Sequence, residues 1–185
     1  MIKTLRTILL GATATVALLL TTAAPAPAHY MGMKWSLEGE YTRTVWIYDA
    51  TGDYRWRVST AAWEWNHACS RLKFGMTKDV KKANIVVHEK DLPSPRAGET
   101  QVAWSGDYIV GQVHMYLDTY VAKYSWARNV TRHEMGHAWG ADHNDLGSLS
   151  VMGTAGTIQA HDRTDLRKFY GIRYTTDCPG GRWAG

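Results

Sequence analysis

The alternation of apolar and polar positions in the first half of the chain predicts a strand, a helix and two more strands. Residues 44–48 are β-branched and aromatic, which is typical of a strand. From residue 54 to about residue 67, apolar positions recur at helical spacing and predict an amphipathic helix. Residues 71–76 and 84–88 predict two further strands, whereas residues 29–40 carry no strong pattern. This strand–helix–strand order indicates a parallel β-α-β unit in which the helix is the crossover.

The second half of the chain predicts two strands followed by two helices. Residues 100–104 form a short strand, and a Gly-containing turn separates it from a longer strand at residues 108–117. The chain becomes helical from Ser125. A last helix covers about residues 161–170 and ends at Gly171, because glycine is a frequent C-terminal stop.

The N-terminus has the pattern of an export signal. Lys3 and Arg6 precede an apolar stretch at residues 8–20, and the segment ends in Ala26-Pro27-Ala28. A transmembrane anchor is the alternative, but the stretch is short and rich in Ala, Gly and Thr, whereas a span needs about 20 apolar residues. We therefore expect residues 1–28 to be a signal peptide and residues 29–185 to be one exported domain.

Charge and cysteine content narrow the classes of function. The formal net charge is +4 at pH 7, which includes two basic residues of the leader, and this is too mild to indicate nucleic-acid or membrane binding. The two cysteines, Cys69 and Cys178, both lie in the exported part. A Cys69–Cys178 disulfide is the expectation in an oxidising compartment. The alternative, two thiols that bind a metal, has no ligand-like spacing in its favour.

Residues 131–144 read T-R-H-E-M-G-H-A-W-G-A-D-H-N and contain the pattern H-E-x-x-H-x-x-G-x-x-H. On a helix, His133 and His137 share a face one turn apart, which suits two corners of a zinc tetrahedron. Glu134 can reach a metal-bound water without binding the metal. Gly140 has no Cβ, so the helix can end there in a left-handed turn that returns His143 as the third ligand.

Three protein ligands leave the fourth corner of the tetrahedron to water, which distinguishes a catalytic zinc from a structural one. The alternative is a chance helix with solvated or core histidines. Five fixed residues of these types should arise by chance on the order of once in ten million positions. The extended pattern therefore favours a zinc site.

Residues 129–144, together with Ser150-Val151-Met152-Gly153, resemble the metzincin zinc peptidases, which combine the extended histidine motif with a methionine turn. Within that clan the chain is most similar to small, secreted, bacterial matrixin-type proteases. Val130 before the first histidine and the stretch at residues 165–171 are part of this resemblance, which covers roughly residues 45–171.

The resemblance implies a fold and a role for each motif residue. The expected fold is α+β, a metzincin-like catalytic domain with a twisted, mixed five-stranded sheet, a crossover helix, an active-site helix and a C-terminal helix. His133, His137 and His143 would bind one catalytic zinc ion. Glu134 would be general base to the zinc-bound water and then proton donor to the leaving amine. Met152 would form an apolar floor under the ligands, although by itself it would be an ordinary core residue.

These features predict a secreted, monomeric zinc metalloendopeptidase that hydrolyses peptide bonds in a polypeptide substrate. The alternative is a catalytically inactive, secreted, zinc-containing binding protein. Such a protein would usually have lost Glu134 or a ligand, and the sequence retains them all. Residues 100–104 either add the substrate as an extra strand or form a capped edge strand, and the sequence does not distinguish the two.

Other side chains with possible chemistry are scattered. Three tryptophans could form a binding platform but are more often residues of the core or of its rim; they are Trp56, Trp63 and Trp65. Three loop acids could join a calcium site, although such acids are usually just solvated; they are Asp107, Asp118 and Asp145. Three histidines are isolated in the sequence and are expected to be structural or surface residues; they are His88, His114 and His161.

Overall fold

The computed structural model describes residues 29–37 and 42–173. Its strands are β1 (Arg43–Asp49), β2 (Leu72–Met76), β3 (Ile85–Lys90), β4 (Gly98–Gln101), β5 (Trp104–Ser105), β6 (Tyr108–Ile109) and β7 (Val113–Asp118). Its helices are α1 (Val58–Asn66), α2 (Ala127–Trp139) and α3 (Ala160–Tyr170). The predicted signal peptide and Cys178 lie outside the described residues, so both stay predictions.

Five of the strands form one mixed sheet, in the order β2-β1-β3-β7-β4. β1 runs parallel to β2 and to β3, and β3 runs parallel to β7. β4 is antiparallel to β7 and lies at the edge. Because α1 connects the parallel strands β1 and β2, the predicted β-α-β unit is confirmed.

The core lies between this sheet and the helices. In β1, Val45 and Ile47 are fully buried while Trp46 between them is 44% exposed, which is the period-two pattern of a sheet with one covered face. α1 turns Ala61, Ala62 and Trp65 inward. Other members of the same cluster come from the sheet and from α2: Leu72, Phe74, Ile85, Val87, Val113, Met115, Leu117, Met135 and Ala138.

The first helix is interrupted, although its apolar spacing predicts a continuous helix. Residues Tyr54–Trp56 form a 3-10 turn, and α1 starts only at Val58. The Asp53 side chain accepts a hydrogen bond from the Arg55 backbone N–H at 2.9 Å and so caps the short turn. Arg57 has a φ of 52°, a left-handed conformation that breaks the helical ladder between the two pieces.

The predicted strands at residues 100–104 and 108–117 are each divided. β4 ends at Gln101 and joins the main sheet, whereas β5 and β6 form a separate two-stranded hairpin. Gly111 has a φ of 71° and turns the chain before β7 begins at Val113. The apolar pattern continues through this turn, so periodicity alone does not show the break.

The three tryptophans of the first helical region have different environments. Trp56 and Trp65 are fully buried, as expected for core residues. Trp63 is 62% exposed and packs edge-on against the ring of His67, so the core prediction is wrong for this residue. A binding platform made of all three side chains is therefore absent.

Residues 29–37, which we call the N-terminal strap, pack along the helices although their sequence has no clear pattern. Met31 donates to the carbonyl of Gly140 at 2.9 Å, and Lys34 donates to that of Asp107 at 2.9 Å. Trp35 is 1% exposed, and its indole N–H donates to the carbonyl of Ala138 at 2.9 Å. The strap therefore joins the end of α2 to the β5–β6 hairpin region. Within the described residues, no helix is long and apolar enough to cross a membrane.

Candidate metal centre

The histidine motif lies on α2 and the turn that follows it. His133 and His137 are one turn apart on α2, as their spacing predicts. Gly140 ends the helix with a φ of 106°, and its N–H bonds back to the carbonyl of His137 at 3.0 Å. A Cβ at this position would collide with the backbone carbonyl of Met33 in the strap. The predicted role of Gly140 in ending the helix is confirmed.

The turn brings His143 back to the two helical histidines. The Nε2 atom of His133 lies 3.0 Å from that of His143 and 3.2 Å from that of His137. The Nε2 atoms of His137 and His143 are 3.2 Å apart. The structure therefore gathers the three predicted metal-ligating side chains around one point.

Hydrogen bonds on the opposite ring nitrogens fix the tautomers of two of these histidines. His133 Nδ1 lies 2.8 Å from the Val151 carbonyl, and His137 Nδ1 lies 2.9 Å from the Ala141 carbonyl. A carbonyl only accepts, so each Nδ1 carries the proton and each Nε2 presents a lone pair. Burial lowers the pKa of His133, and it lowers the pKa of His137 to about 4. Both rings are therefore neutral at neutral pH.

This arrangement fits a tetrahedral zinc ion. Neutral nitrogens that point their lone pairs at one another repel, and a cation between them removes that repulsion. Zinc–nitrogen bonds of about 2.0–2.1 Å in a tetrahedron separate ligand nitrogens by about 3.3–3.4 Å. The observed separations of 3.0–3.2 Å are close to this value. The three side chains can therefore accept the ion with small movements.

Glu134 lies beside the histidine cluster in a buried position. It is 5% exposed, and its Oε2 lies 2.7 Å from the hydroxyl of Thr100 on β4. A Cβ on Gly98 would meet Glu134 Oε1 at 2.7 Å, so the absence of a side chain there makes room for the carboxyl group. Desolvation raises the pKa of Glu134 to about 7, and the hydrogen bond from Thr100 acts in the opposite direction. A carboxyl group with a pKa near neutrality is suited to accepting and releasing a proton.

Met152 is buried in the predicted methionine turn, which follows the third histidine. It is 3% exposed, and an ideal Cβ on Gly136 of α2 would overlap its Sδ atom. Gly136 precedes His137, so the thioether lies against the part of α2 that carries the two helical histidines. The carbonyl of the preceding residue, Val151, is the partner of His133 Nδ1.

Asp162, on α3, holds the methionine turn in place, and this role was not predicted from the sequence. It is 2% exposed, and its Oδ1 accepts from the Ser150 hydroxyl at 2.5 Å. Its Oδ2 accepts from the Val151 N–H at 2.9 Å and from the Gln159 N–H at 2.7 Å. The available signal was an acid in the first turn of the predicted last helix, where carboxylates commonly bind backbone N–H groups.

The predictions for the scattered acids and histidines differ in how they compare with the structure. Among the described residues, Asp107, Asp118 and Asp145 do not form a ligand group, so the calcium site is not supported. Asp118 instead accepts from the Leu92 N–H at 3.2 Å. His88 and His114 are isolated in the sequence but adjacent in the structure, where His88 Nε2 lies 3.1 Å from His114 Nδ1.

His161 is likewise isolated in the sequence but lies next to His29 and Asp165 in the structure. Cys69 is buried, but its predicted partner Cys178 is outside the described residues, so the disulfide stays a prediction.

The cluster opens into a cleft of about 950 Å³. One wall is the β4 region, which contributes Gly98, Thr100 and Val102; the opposite wall includes Gly153 and Ala155. Because β4 is the edge strand, its outer side faces no other strand of the sheet. The cleft therefore combines a strand edge with the histidine cluster and Glu134 at one surface.

Neither a protein-family model nor a curated protein sequence matches the chain. Among solved structures, myroilysin aligns with a TM-score of 0.55 and 12% identity, over 76% of this chain and 97% of myroilysin. HCE-1, a hatching enzyme zinc-protease from the medaka fish Oryzias latipes, aligns with a TM-score of 0.51 and 11% identity. That alignment covers 76% of this chain and 95% of HCE-1.

At this level of sequence identity, structural similarity establishes the fold alone. Together with the mixed five-stranded sheet and the positions of the helices, it shows that the chain has an α+β, metzincin-like domain, as the sequence predicts. The narrower resemblance to matrixins stays a prediction.

Proposed function

We propose that the protein is an exported zinc-dependent endopeptidase, a small matrixin-like metzincin that hydrolyses peptide bonds in polypeptides. The observation that carries the proposal is the meeting of three histidine Nε2 atoms, 3.0–3.2 Å apart, beside a buried carboxyl group in an open cleft. Three imidazole ligands, which leave one corner of the tetrahedron for water, suit a catalytic rather than a structural zinc ion.

His133, His137 and His143 would hold the ion through their Nε2 atoms. A zinc ion in this position supplies a Lewis acid that makes water nucleophilic at neutral pH and polarises the scissile carbonyl. The carbonyls of Val151 and Ala141 keep two of the imidazoles in the required tautomer and orientation. Met152 is buried against Gly136 of α2 and would form the apolar floor that the resemblance implies.

Glu134 moves the proton. The Thr100 hydroxyl has one proton and lies 2.7 Å from Glu134 Oε2 and 3.0 Å from the Glu134 carbonyl, so it donates to the nearer carboxylate oxygen. No described residue donates a hydrogen bond to Oε1. Glu134 therefore takes the proton of the attacking water at Oε1 and then delivers it to the nitrogen of the leaving amine.

The substrate is proposed to lie extended in the cleft, antiparallel or parallel to β4. The outer edge of Gly98–Gln101 offers backbone N–H and carbonyl groups to an added strand, which is a common way to bind peptides. The sequence pattern predicts a strand at residues 100–104, and the structure has an edge strand there that begins earlier, at Gly98. The presence of this strand supports the proposal. A polypeptide bound in this way passes over Glu134 and the histidine cluster.

A cleavage assay with matched variants tests the proposal. The zinc-loaded protein should cleave members of an unstructured peptide library, and a chelator should abolish cleavage. Glu134→Ala should retain zinc and lose about 10²–10⁴-fold in kcat, the usual contribution of a general base. His137→Ala should lose the zinc ion of the cleft and activity together.

His114→Ala, which removes a histidine outside the cleft, is the control and should keep both zinc and activity. Full activity in Glu134→Ala would contradict the assigned mechanism. A zinc-loaded wild type that cleaves no peptide would instead favour the inactive, zinc-containing binding protein.

Export, the disulfide and the monomeric state are part of the same proposal. The charged start, the apolar stretch at residues 8–20 and the A-x-A signature before His29 support export. The protein recovered from the medium should begin at His29 and should show one intramolecular Cys69–Cys178 bond by mass spectrometry of a non-reduced digest. Light scattering should give the mass of one chain.

A further inference from the structure

A second group of metal-ligating side chains lies outside the cleft, between the N-terminal strap and α3. His161 and Asp165 are four residues apart on α3 and therefore share a face. His161 Nε2 lies 3.0 Å from Asp165 Oδ2, and His29 Nδ1 lies 3.9 Å from the same oxygen. One ligand atom from each residue lies within 4.8 Å of the other two.

The polar atoms of this group are buried without hydrogen-bond partners. Asp165 is 3% exposed, and three atoms are shielded from solvent without a hydrogen bond: His29 Nδ1, His161 Nε2 and Asp165 Oδ1. Buried polar atoms are nearly always hydrogen-bonded, so three of them side by side require an explanation. Lys168 Nζ lies 3.9 Å from Asp165 Oδ1, but that side chain is 40% exposed and such a contact contributes little.

An ion pair between a protonated His161 and Asp165 explains only part of this arrangement. It uses the 3.0 Å contact on α3 but leaves His29 Nδ1, 3.9 Å from the carboxylate, without a hydrogen bond. A cation bound among the three residues gives His29 Nδ1, His161 Nε2 and one oxygen of the Asp165 carboxylate a partner.

The strap is fixed so that His29 faces α3. The Asp142 N–H donates to the His29 carbonyl at 3.2 Å, and Met31 donates to the Gly140 carbonyl at 2.9 Å. Tyr30 stacks on Phe169 of α3 with their ring centroids 4.2 Å apart. The position of His29 therefore follows from backbone and aromatic contacts on both sides of the residue.

We propose that His29, His161 and Asp165 form a second metal site, which binds a zinc-type divalent transition metal. Two imidazole nitrogens and one carboxylate oxygen are a typical donor set for such ions, whereas Ca²⁺ and Mg²⁺ prefer oxygen ligands throughout. Each imidazole side chain is 24% exposed, which leaves access for a water molecule as fourth ligand.

The metal at this site ties the strap to α3. Because Asp142 bonds to His29, the metal also steadies the turn that carries His143, although it contacts no residue of the cleft cluster. Metal binding at this second site does not depend on peptidase activity, so the binding can be measured whether or not the protein cleaves peptides.

Zinc binding to a variant without the cleft cluster tests the proposal. The purified His137→Gln/His143→Gln protein is stripped with a chelator and then dialysed against ZnCl₂ at low micromolar concentration, and bound zinc is measured by mass spectrometry. We expect one zinc ion per chain in this variant and two in the wild type. Adding His161→Gln or His29→Gln should remove the remaining ion, and adding His88→Gln, the matched control, should not.

Three outcomes would overturn the inference. The first is that the His137→Gln/His143→Gln protein binds no zinc; the second is that its zinc survives both His29→Gln and His161→Gln. The third is that His88→Gln removes the ion equally well, which indicates nonspecific binding to surface histidines. Far-UV circular dichroism checks the fold of each variant. If a substitution on α3 prevents folding, His29→Gln still tests whether the three residues bind zinc, because His29 lies at the edge of the domain.

Discussion

Asp162 illustrates how a residue outside the cleft can determine the geometry within it. Its carboxylate accepts from Ser150, Val151 and Gln159, and the Val151 carbonyl in turn bonds to His133 Nδ1. An aspartate on α3 is therefore connected to a metal-ligating histidine through one residue of the methionine turn. Such outer contacts set the direction in which a ligand points.

Asp162→Asn should weaken both the fold and the metal site. The amide has one acceptor oxygen, whereas the carboxylate accepts three hydrogen bonds through two oxygens, so at least one buried donor loses its partner. We expect a loss of about 3 kcal/mol in the free energy of unfolding and a fall of about 10–100-fold in zinc affinity. Denaturant titration and competition with a zinc chelator measure the two effects. Asp145→Asn, at an exposed loop position, should change neither; equal effects in both variants would contradict the role of Asp162.

Burial of Glu134 makes the stability of the metal-free protein depend on pH. The folded-state pKa of about 7 lies above the ordinary value of 4.5, so the folded chain binds this proton more tightly than the unfolded chain. The resulting stabilisation is complete below pH 4.5 and is lost as the pH rises through about 7.

Glu134→Gln removes this dependence. At pH 8 the chelator-treated variant should be more stable than the chelator-treated wild type by about 3 kcal/mol, and the difference should vanish near pH 4. Urea unfolding at the two pH values measures it. Glu89→Gln changes the charge equally at a partly exposed position and should show little effect. A stability difference that does not change with pH would contradict the burial argument.

Residue types and spacing were sufficient to predict that His133, His137 and His143 lie together. They could not predict Thr100, which contacts Glu134 from 34 positions away. Nor could they predict that Gly98 leaves the space that the carboxyl group occupies. Such contacts depend on how β4 packs on α2, and no local pattern contains that information.

At the scale of elements, α2 has two functional faces. One face carries the histidines, and the other carries Arg132, which is 4% exposed. The Arg132 guanidinium pairs with Glu64 of α1 through both carboxylate oxygens, one of them at 2.6 Å from Nη2. It also donates to Asn129 Oδ1 at 2.9 Å and to the Gly156 carbonyl at 2.8 Å. The ion pair fixes α2 against α1. The hydrogen bond to the Gly156 carbonyl fixes α2 against the loop that follows the methionine turn.

Glu64→Ala should destabilise the protein strongly, because it leaves the Arg132 cation buried without its counter-charge. We expect a loss of about 3 kcal/mol in the free energy of unfolding, measured with urea. The double variant Glu64→Leu/Arg132→Met removes both charges and should recover part of that loss. If Glu64→Ala is as stable as the wild type, solvent already compensates the charge of Arg132.

Element prediction succeeded where one face of a strand or helix is buried over its whole length. β1, β3, α2 and α3 lie within a few residues of their predicted positions. It failed where the chain turns without losing its apolar pattern, at Arg57 and at Gly111, because backbone conformation changes there and side-chain polarity does not. The strap has no periodicity because its contacts involve its backbone and single anchors such as Trp35.

At the scale of the molecule, a bound metal should contribute a large share of the stability. A ligand present at about 1,000 times its dissociation constant stabilises the folded state by about 4 kcal/mol. In a domain of this size that corresponds to a shift of about 10 °C in Tm. We therefore expect a chelator to lower Tm by about that amount and zinc to restore it, as measured by circular dichroism. The shift should shrink in His137→Gln/His143→Gln, and an unchanged shift would place the stabilising metal elsewhere.

The contact between Gly136 of α2 and Met152 of the methionine turn has a consequence for sequence variation. A Cβ at position 136 would overlap the methionine sulfur, so position 136 cannot take a larger residue while Met152 stays as it is. Among relatives of this chain, a larger residue at 136 should occur only with a smaller one at 152. A substitution at position 136 should therefore be accompanied by one at position 152, although the two positions are 16 apart in the sequence.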